Sequence, residues 1–124
     1  MTIERKNYPV LGEVVGPYVH AVKHNDTLYV SGLTAFGSAA QGNRLEEQAE
    51  VIFEQLSKLA EAEGSSLAAL LKVTIFVTQL DELDALRHVL FHHYGEHLPA
   101  SSLVQVSSLF SPEVTIEIEA VLAL

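Results

Sequence analysis

The 124 residues hold seven Lys and Arg against sixteen Asp and Glu, a formal net charge of −9, with a pI near 4.9. No basic stripe exists, so a phosphate backbone is repelled at long range and nucleic acid is a poor partner. Apolar residues make up 48% of the chain and cysteine is absent, which argues against disorder and excludes disulfides, cysteine nucleophiles and zinc thiolates.

The length suits one domain, residues 1–124, with one core that needs no metal or disulfide staple. No apolar run approaches the ~18–20 residues that span a bilayer. The opening stretch MTIERKNYPVLGEV has no apolar core of a signal peptide. The expectation is a soluble cytoplasmic protein with no membrane partner.

Pro9 and Gly12 mark residues 1–15 as an irregular or edge segment. Gly16-Pro17-Tyr18 is a turn-like entry to a hairpin, Val19–Lys23 and Thr27–Ser31, joined by His24-Asn25-Asp26. Gly32 allows a bend or a close approach at the end of that hairpin. Residues 34–42 are small and polar, a loop with room for a short edge strand. Asn43 suits a helix N-cap, and Glu46 and Glu47 suit the positive end of the helix dipole. Leu45, Ala49, Ile52, Leu56 and Leu59 then recur at helical spacing, predicting a helix over 44–63 that Gly64 ends.

After a short helical turn over 67–70, residues 71–78 (LKVTIFVT) alternate. Leu71, Val73, Ile75 and Val77 share one face, with Lys72, Thr74, Phe76 and Thr78 on the other. Asp81 is a candidate cap for a second helix to Tyr94, with Leu83, Leu86, Leu90 and Tyr94 inward and Gly95 as the stop. Two strands finish the chain, over 101–107 and 114–122, separated by a turn at Ser111-Pro112-Glu113. In the last one Val114, Ile116, Ile118, Ala120 and Leu122 share a face, opposite Thr115, Glu117, Glu119 and Val121.

A strand between two helices needs a crossover and a parallel neighbour. Two helices cover only one sheet face. The other, expected to carry Lys72, Thr74, Phe76, Leu103, Gln105, Glu117 and Val121, is too apolar for open water and too polar for a monomer core. A homo-oligomer burying that face follows.

Glu117 and Glu119 stand two apart on this face. In a partly dry interface such a carboxylate has a raised pKa and suits general acid–base work; equally, it can be a structural contact to a neighbouring subunit. Asp84, His88 and His92 form an i, i+4 stripe, and His93 and His97 repeat the spacing. The stripe lies off the apolar helix face and lacks the glutamate of His-Glu-x-x-His, so no metal site is assigned. Lys72 reads as a snorkelling or ion-paired lysine.

Taken together, Gly16-Pro17-Tyr18, Tyr29-Val30-Ser31-Gly32, the Gln48 helix, LKVTIFVTQLDEL at 71–83, LPASSLVQV at 98–106 and VTIEIEAVL at 114–122 resemble the RidA/YjgF family. These are small deaminases formerly called L-PSP endoribonucleases or translation inhibitors. The resemblance covers nearly the whole chain. It implies an α+β, chorismate-mutase-like mixed sheet with two helices on one face, assembled as a homotrimer with inward-facing sheets and ligand pockets at the subunit interfaces. It implies hydrolysis of 2-imino acids to 2-keto acids and ammonia, without metal or organic cofactor.

Carried over by position, Tyr18 matches the tyrosine of the family's Gly-Pro-Tyr, Ser31 and Gly32 the pocket-lining Ser-Gly, and Glu117 the glutamate that handles water and protons. The family's substrate-binding arginine, in Pro-Ala-Arg-Ser, is Ser101 here, and the cysteine often found two residues later is Leu103. Arginine grips a carboxylate through two charge-assisted hydrogen bonds, where a serine offers one neutral donor. Two readings stay open: an imine deaminase with a weakened grip on 2-imino acids, and a non-catalytic trimer that binds a small molecule at its interfaces. A third, an RNA-directed nuclease, is disfavoured by charge.

Overall fold

The computed structural model describes residues 2–124, built as one six-stranded sheet with two helices. The strands are β1 (Ile3–Lys6), β2 (Ala21–His24), β3 (Thr27–Leu33), β4 (Leu70–Val77), β5 (Ala100–Gln105) and β6 (Ile116–Ala123). The helices are α1 (Leu45–Ala62) and α2 (Leu83–Tyr94). The sheet order is β1-β2-β3-β6-β4-β5. All pairings are antiparallel except β4–β5, the parallel pair that the α2 crossover requires.

Period-two alternation explains the inner face. Val114, Ile116, Ile118, Ala120 and Leu122 are all buried, as are Leu28, Val30, Val73, Ile75 and Val77. Helix α1 packs on β3 and β6 with α2 beside it, so both helices lie on one side. Its inward stripe includes Ile52, Phe53, Leu56 and Leu59. The Phe53 ring meets His93 and Tyr94 of α2 at 4.8 and 5.6 Å between centroids. His93 also binds Glu50 at 2.9 Å, so it ties the two helices together, while Asp84, His88 and His92 are exposed. Helix α1 ends in paired bonds from Gly64 N–H to Glu61 O and Ser65 N–H to Ala60 O, with Gly64 at φ 73°. This is the six-to-one, five-to-two closure that a glycine favours.

Several expectations need correction. Residues 34–42 form no strand. That loop closes on itself through Ser38 Oγ to Ala35 O and Gly37 N–H to Gln41 Oε1. The sixth strand is the N-terminal β1, on the sheet edge. Asn43 is not the cap of α1: its amide donates to Ala39 O and Glu47 Oε2, and Arg44 takes the N-cap position. Asp81 is not the cap of α2 either. Its N–H donates to Gln79 Oε1, and Glu82 stands at the N-cap. On α2, Val89 is buried along with Leu86 and Tyr94, while Leu83 and Leu90 are only partly covered.

Two strand faces also differ. Leu70 pairs with Leu122 and Lys72 with Val121, leaving Leu71 as an extra residue in the β4 ladder. This bulge turns Leu71 out to solvent, and Leu70 fills the core position instead. The parallel register sets Leu103 beside Ile75 and Gln105 beside Val77. They therefore share the helix-side face, and Ser102 and Val104 stand with Lys72, Thr74 and Phe76 on the other. Lys72 Nζ donates to Ser102 Oγ at 2.9 Å, in keeping with that register.

The fully buried Gln48 is the main polar tie. Its Nε2 donates to Asn43 O at 2.9 Å and Glu113 O at 3.2 Å, and its Oε1 accepts from Thr115 N–H at 3.1 Å. Replacing Gln48 with Leu leaves three backbone groups without that partner. We expect a loss of about 2–4 kcal/mol, read as a fall in urea midpoint, with Gln48→Glu also destabilising because it buries a charge.

Candidate functional site

Beside β3 and β6 lies a cleft of about 350 Å³. Four of the residues singled out from sequence meet there: Tyr18, Ser31, Gly32 and Glu117. The other two do not. Ser101 and Leu103 lie on β5, two strands beyond Glu117 in the sheet and exposed along with the whole of that strand.

A second bulge builds the cleft floor. Val30 pairs with Ala120 and Leu33 with Ile118, so Ser31 and Gly32 together oppose one residue, Glu119. The Ser31 N–H donates to His20 O and its Oγ donates to Val19 O at 2.6 Å. That hydroxyl proton is therefore committed to the hairpin, and Ser31 offers a ligand only acceptor capacity. Gly32 lies directly under the Glu117 carboxylate. A Cβ at position 32 would overlap Glu117 Oε1 and stand 2.8 Å from its carboxyl carbon, so the glycine is the space in which the glutamate lies.

Burial pushes the Glu117 carboxyl above its ordinary value, and the Glu119 charge adds to the shift. Tyr18 is about half exposed at 46%, its N–H donating to Gly16 O. Apolar walls come from Leu11, Val14 and Val15, and from Phe36 and Phe110, which meet edge-to-face at 5.1 Å.

His20 is the cleft residue that sequence reasoning missed. It is only 7% exposed and lines the cleft. Tyr8 N–H donates to His20 Nδ1 at 2.9 Å, and His20 N–H donates to Asn7 Oδ1. An accepting Nδ1 places the ring proton of the neutral form on Nε2. Burial lowers the His20 pKa and so favours that neutral form. The one available signal was a histidine set between two apolar residues, Val19 and Ala21, in the segment expected to form the first hairpin strand. Its partners, 12 and 13 residues away, carry no periodicity that points to it.

Among the described residues, no group of three or more His, Asp or Glu side chains is arranged to hold a metal ion, and no helix is long and apolar enough to cross a membrane.

A sheet of this order with a two-strand carboxylate cleft defines an α+β, chorismate-mutase-like protein of the RidA type. The family profile described as Endoribonuclease L-PSP matches residues 11–124, and the chain belongs to that family. A RutC family protein of Pyrococcus horikoshii is 31% identical over 111 residues, covering 86% of each chain. The 2-iminobutanoate/2-iminopropanoate deaminase of Dermatophagoides farinae is 26% identical over 121 residues, 94% of this chain and 92% of that one. The crystal structure of RidA from an Antarctic Psychrobacter superposes with a TM-score of 0.80 at 33% identity, covering 90% of this chain and 92% of that one.

Two measurements check the site. Gly32→Ala should destabilise the fold by about 1–3 kcal/mol, as overpacking does. Adding Glu117→Ala should recover most of that loss, and additive effects in the double-mutant cycle would show that the two side chains do not compete for space. The Glu117 carboxyl carbon, followed by NMR, should titrate above 4.5, moving down in Glu119→Gln. Because the folded state holds this proton more tightly, the stability penalty is absent below that ordinary value and grows as pH rises through the folded pKa. Glu117→Gln should thus be more heat-stable than the parent at pH 7, with the gap closing toward pH 4.

Proposed function

We propose that this protein is an imine or enamine hydrolase, releasing ammonia and a carbonyl compound, with Glu117 as the group that moves the protons of water. The observation that carries the reading is the Glu117 carboxylate: raised by burial, without a hydrogen-bond or ion-pair contribution to its titration, and seated over Gly32 in a cleft. A carboxyl with a raised pKa exchanges protons nearer neutral pH, as general acid–base catalysis needs. The mite deaminase and the Psychrobacter RidA support the reaction class by kinship.

The active form is a homotrimer whose clefts lie at subunit interfaces. The exposed β5 edge and the half-covered face with Tyr29, Phe76 and Val121 support this assembly. A second copy then brings Ser101 and Leu103 of its β5 to the cleft, beside Tyr18, Ser31 and Gly32 as ligand-contacting residues. With serine where the family has arginine, a substrate carboxylate is held less tightly by roughly 2–4 kcal/mol. That substitution also favours the second reading, a non-catalytic trimer binding a small molecule in the same clefts.

The deciding assay generates 2-aminoacrylate with a dehydratase and traps it with semicarbazide, comparing keto-acid release with and without this protein. Glu117→Gln should abolish whatever acceleration the parent gives. Ser101→Arg should raise it about a hundredfold, the rate equivalent of that lost anchoring. If both the parent and Ser101→Arg match buffer alone, hydrolysis of 2-imino acids is rejected, and if simple imines are not hydrolysed either, the binding reading stands. Sedimentation should give three times the 13.5 kDa chain mass, and a monomer would reject the interface cleft.

A further inference from the structure

The cleft has a sign. Its two ordinarily ionised side chains are Glu13 and Glu117, and neither lysine nor arginine lines it. His20, the remaining basic group there, is buried and kept toward its neutral form. The second-copy strand that would close the cleft, Ala100–Gln105, holds no charged residue. Lys72, one strand in from that edge, is engaged with Ser102 Oγ and lies by a separate hollow with Tyr29, Glu119 and Val121. A carboxylate entering the main cleft therefore meets like charge and no cation. In a partly desolvated space that repulsion is stronger than in water.

The remaining lining says what would fit. Leu11, Val15, Phe36 and Phe110 form an apolar wall. His20 contributes a polar atom from a side chain that is more than nine-tenths buried. With Nδ1 occupied by Tyr8 N–H and no bond to Nε2 among the described residues, Nε2–H is the ring donor left for a ligand oxygen.

From this charge and shape we propose that the cleft accepts a cationic imine with an apolar substituent and no carboxylate, in place of a 2-imino acid. Oxidation of a simple amine is the class of reaction that supplies such a compound. The inference rests on the hydrolase reading for its chemistry and on the cleft lining for its selectivity. In the reaction, a water oxygen adds to the iminium carbon as the C=N π pair moves to nitrogen. Glu117 takes one water proton and returns it to the nitrogen. The C–N bond then breaks as the C=O bond forms, and the second proton leaves with the amine. The net change is iminium plus water to carbonyl plus ammonium, with nothing oxidised or reduced. His20 Nε2–H holds the oxygen that becomes the carbonyl.

Isovaleramidinium and isovalerate are planar, nearly isosteric probes that differ in charge. Calorimetric titration of the full-length protein at low salt should show isovaleramidinium binding about tenfold tighter or better, the discrimination expected from one partly desolvated charge contact. The difference should shrink at high salt and largely vanish in Glu117→Gln. A His20→Gln variant, which keeps a donor without the ring, should retain the charge preference. Equal binding, tighter isovalerate binding, or no heat with isovaleramidinium would overturn the proposal.

Turnover keeps the two readings apart. Preference for isovaleramidinium, with no acceleration of 3-methylbutan-1-imine or 2-imino-4-methylpentanoate hydrolysis, upholds the ligand class and rejects the hydrolase. Hydrolysis of the 2-imino acid at least as fast as that of the simple imine upholds the hydrolase and rejects the ligand class.

Discussion

One side chain, Gln48, holds the two halves of the molecule in register. It is fully buried near the start of α1, yet all its bonds go to backbone at the helix entry and at residues 113–115. Those residues lead directly into β6, the strand that carries Glu117. Gly42 N–H donates to Glu113 O, and Gln41 Nε2 donates to the Glu113 carboxylate, so the loop before the helix grips the same segment. A buried amide that satisfies several backbone groups fixes direction as well as position. The height of Glu117 over Gly32 is thus set from the helix side of the sheet, although the carboxylate itself lies on the other.

A second polar cluster sets the far wall of the cleft. Tyr8 O–H and Lys6 both bind Glu63 at 2.7 Å, which anchors the N-terminal segment to the end of α1. Burial and the hydrogen bond to Glu63 raise the Tyr8 hydroxyl well above its ordinary value, so it stays a donor across the physiological range. The same segment gives Asn7 and Tyr8 to His20. An exposed-looking N-terminal stretch therefore determines which nitrogen of a cleft histidine holds the proton.

The elements with strong periodicity were legible in the sequence. The inward faces of α1 and β6, the Gly64 and Gly95 stops and the parallel neighbour of β4 all follow from spacing and connection rules. What was not legible shares one physical cause: it depends on partners distant in the chain. The Leu71 bulge shifts a leucine from core to solvent without any local sequence mark. The face of β5 follows from its register with β4, which alternation within β5 alone does not fix. Asn43 and Asp81 are good caps by residue type, but their own hydrogen bonds go elsewhere and each helix starts one residue further on. In the cleft, Tyr18, Ser31, Gly32 and Glu117 come together, whereas the commitment of the Ser31 hydroxyl and the buried place of His20 in the lining needed the fold to be seen.

The bulge at Ser31 and Gly32 has a consequence for how such a cleft can change. The extra residue shifts the phase of β3 by one between its two ends, so that Leu28 and Val30 stay inward while Gly32 still lies beneath the carboxylate. Deleting one residue here would invert every side chain on one arm of the strand. The floor of the cleft is consequently intolerant of changes in chain length, and its ligand preference can drift only by exchange of side chains on the rim. Position 101, on an exposed edge strand that no helix covers, is free of that phase constraint, so its side chain can be exchanged without inverting the strand that forms the floor.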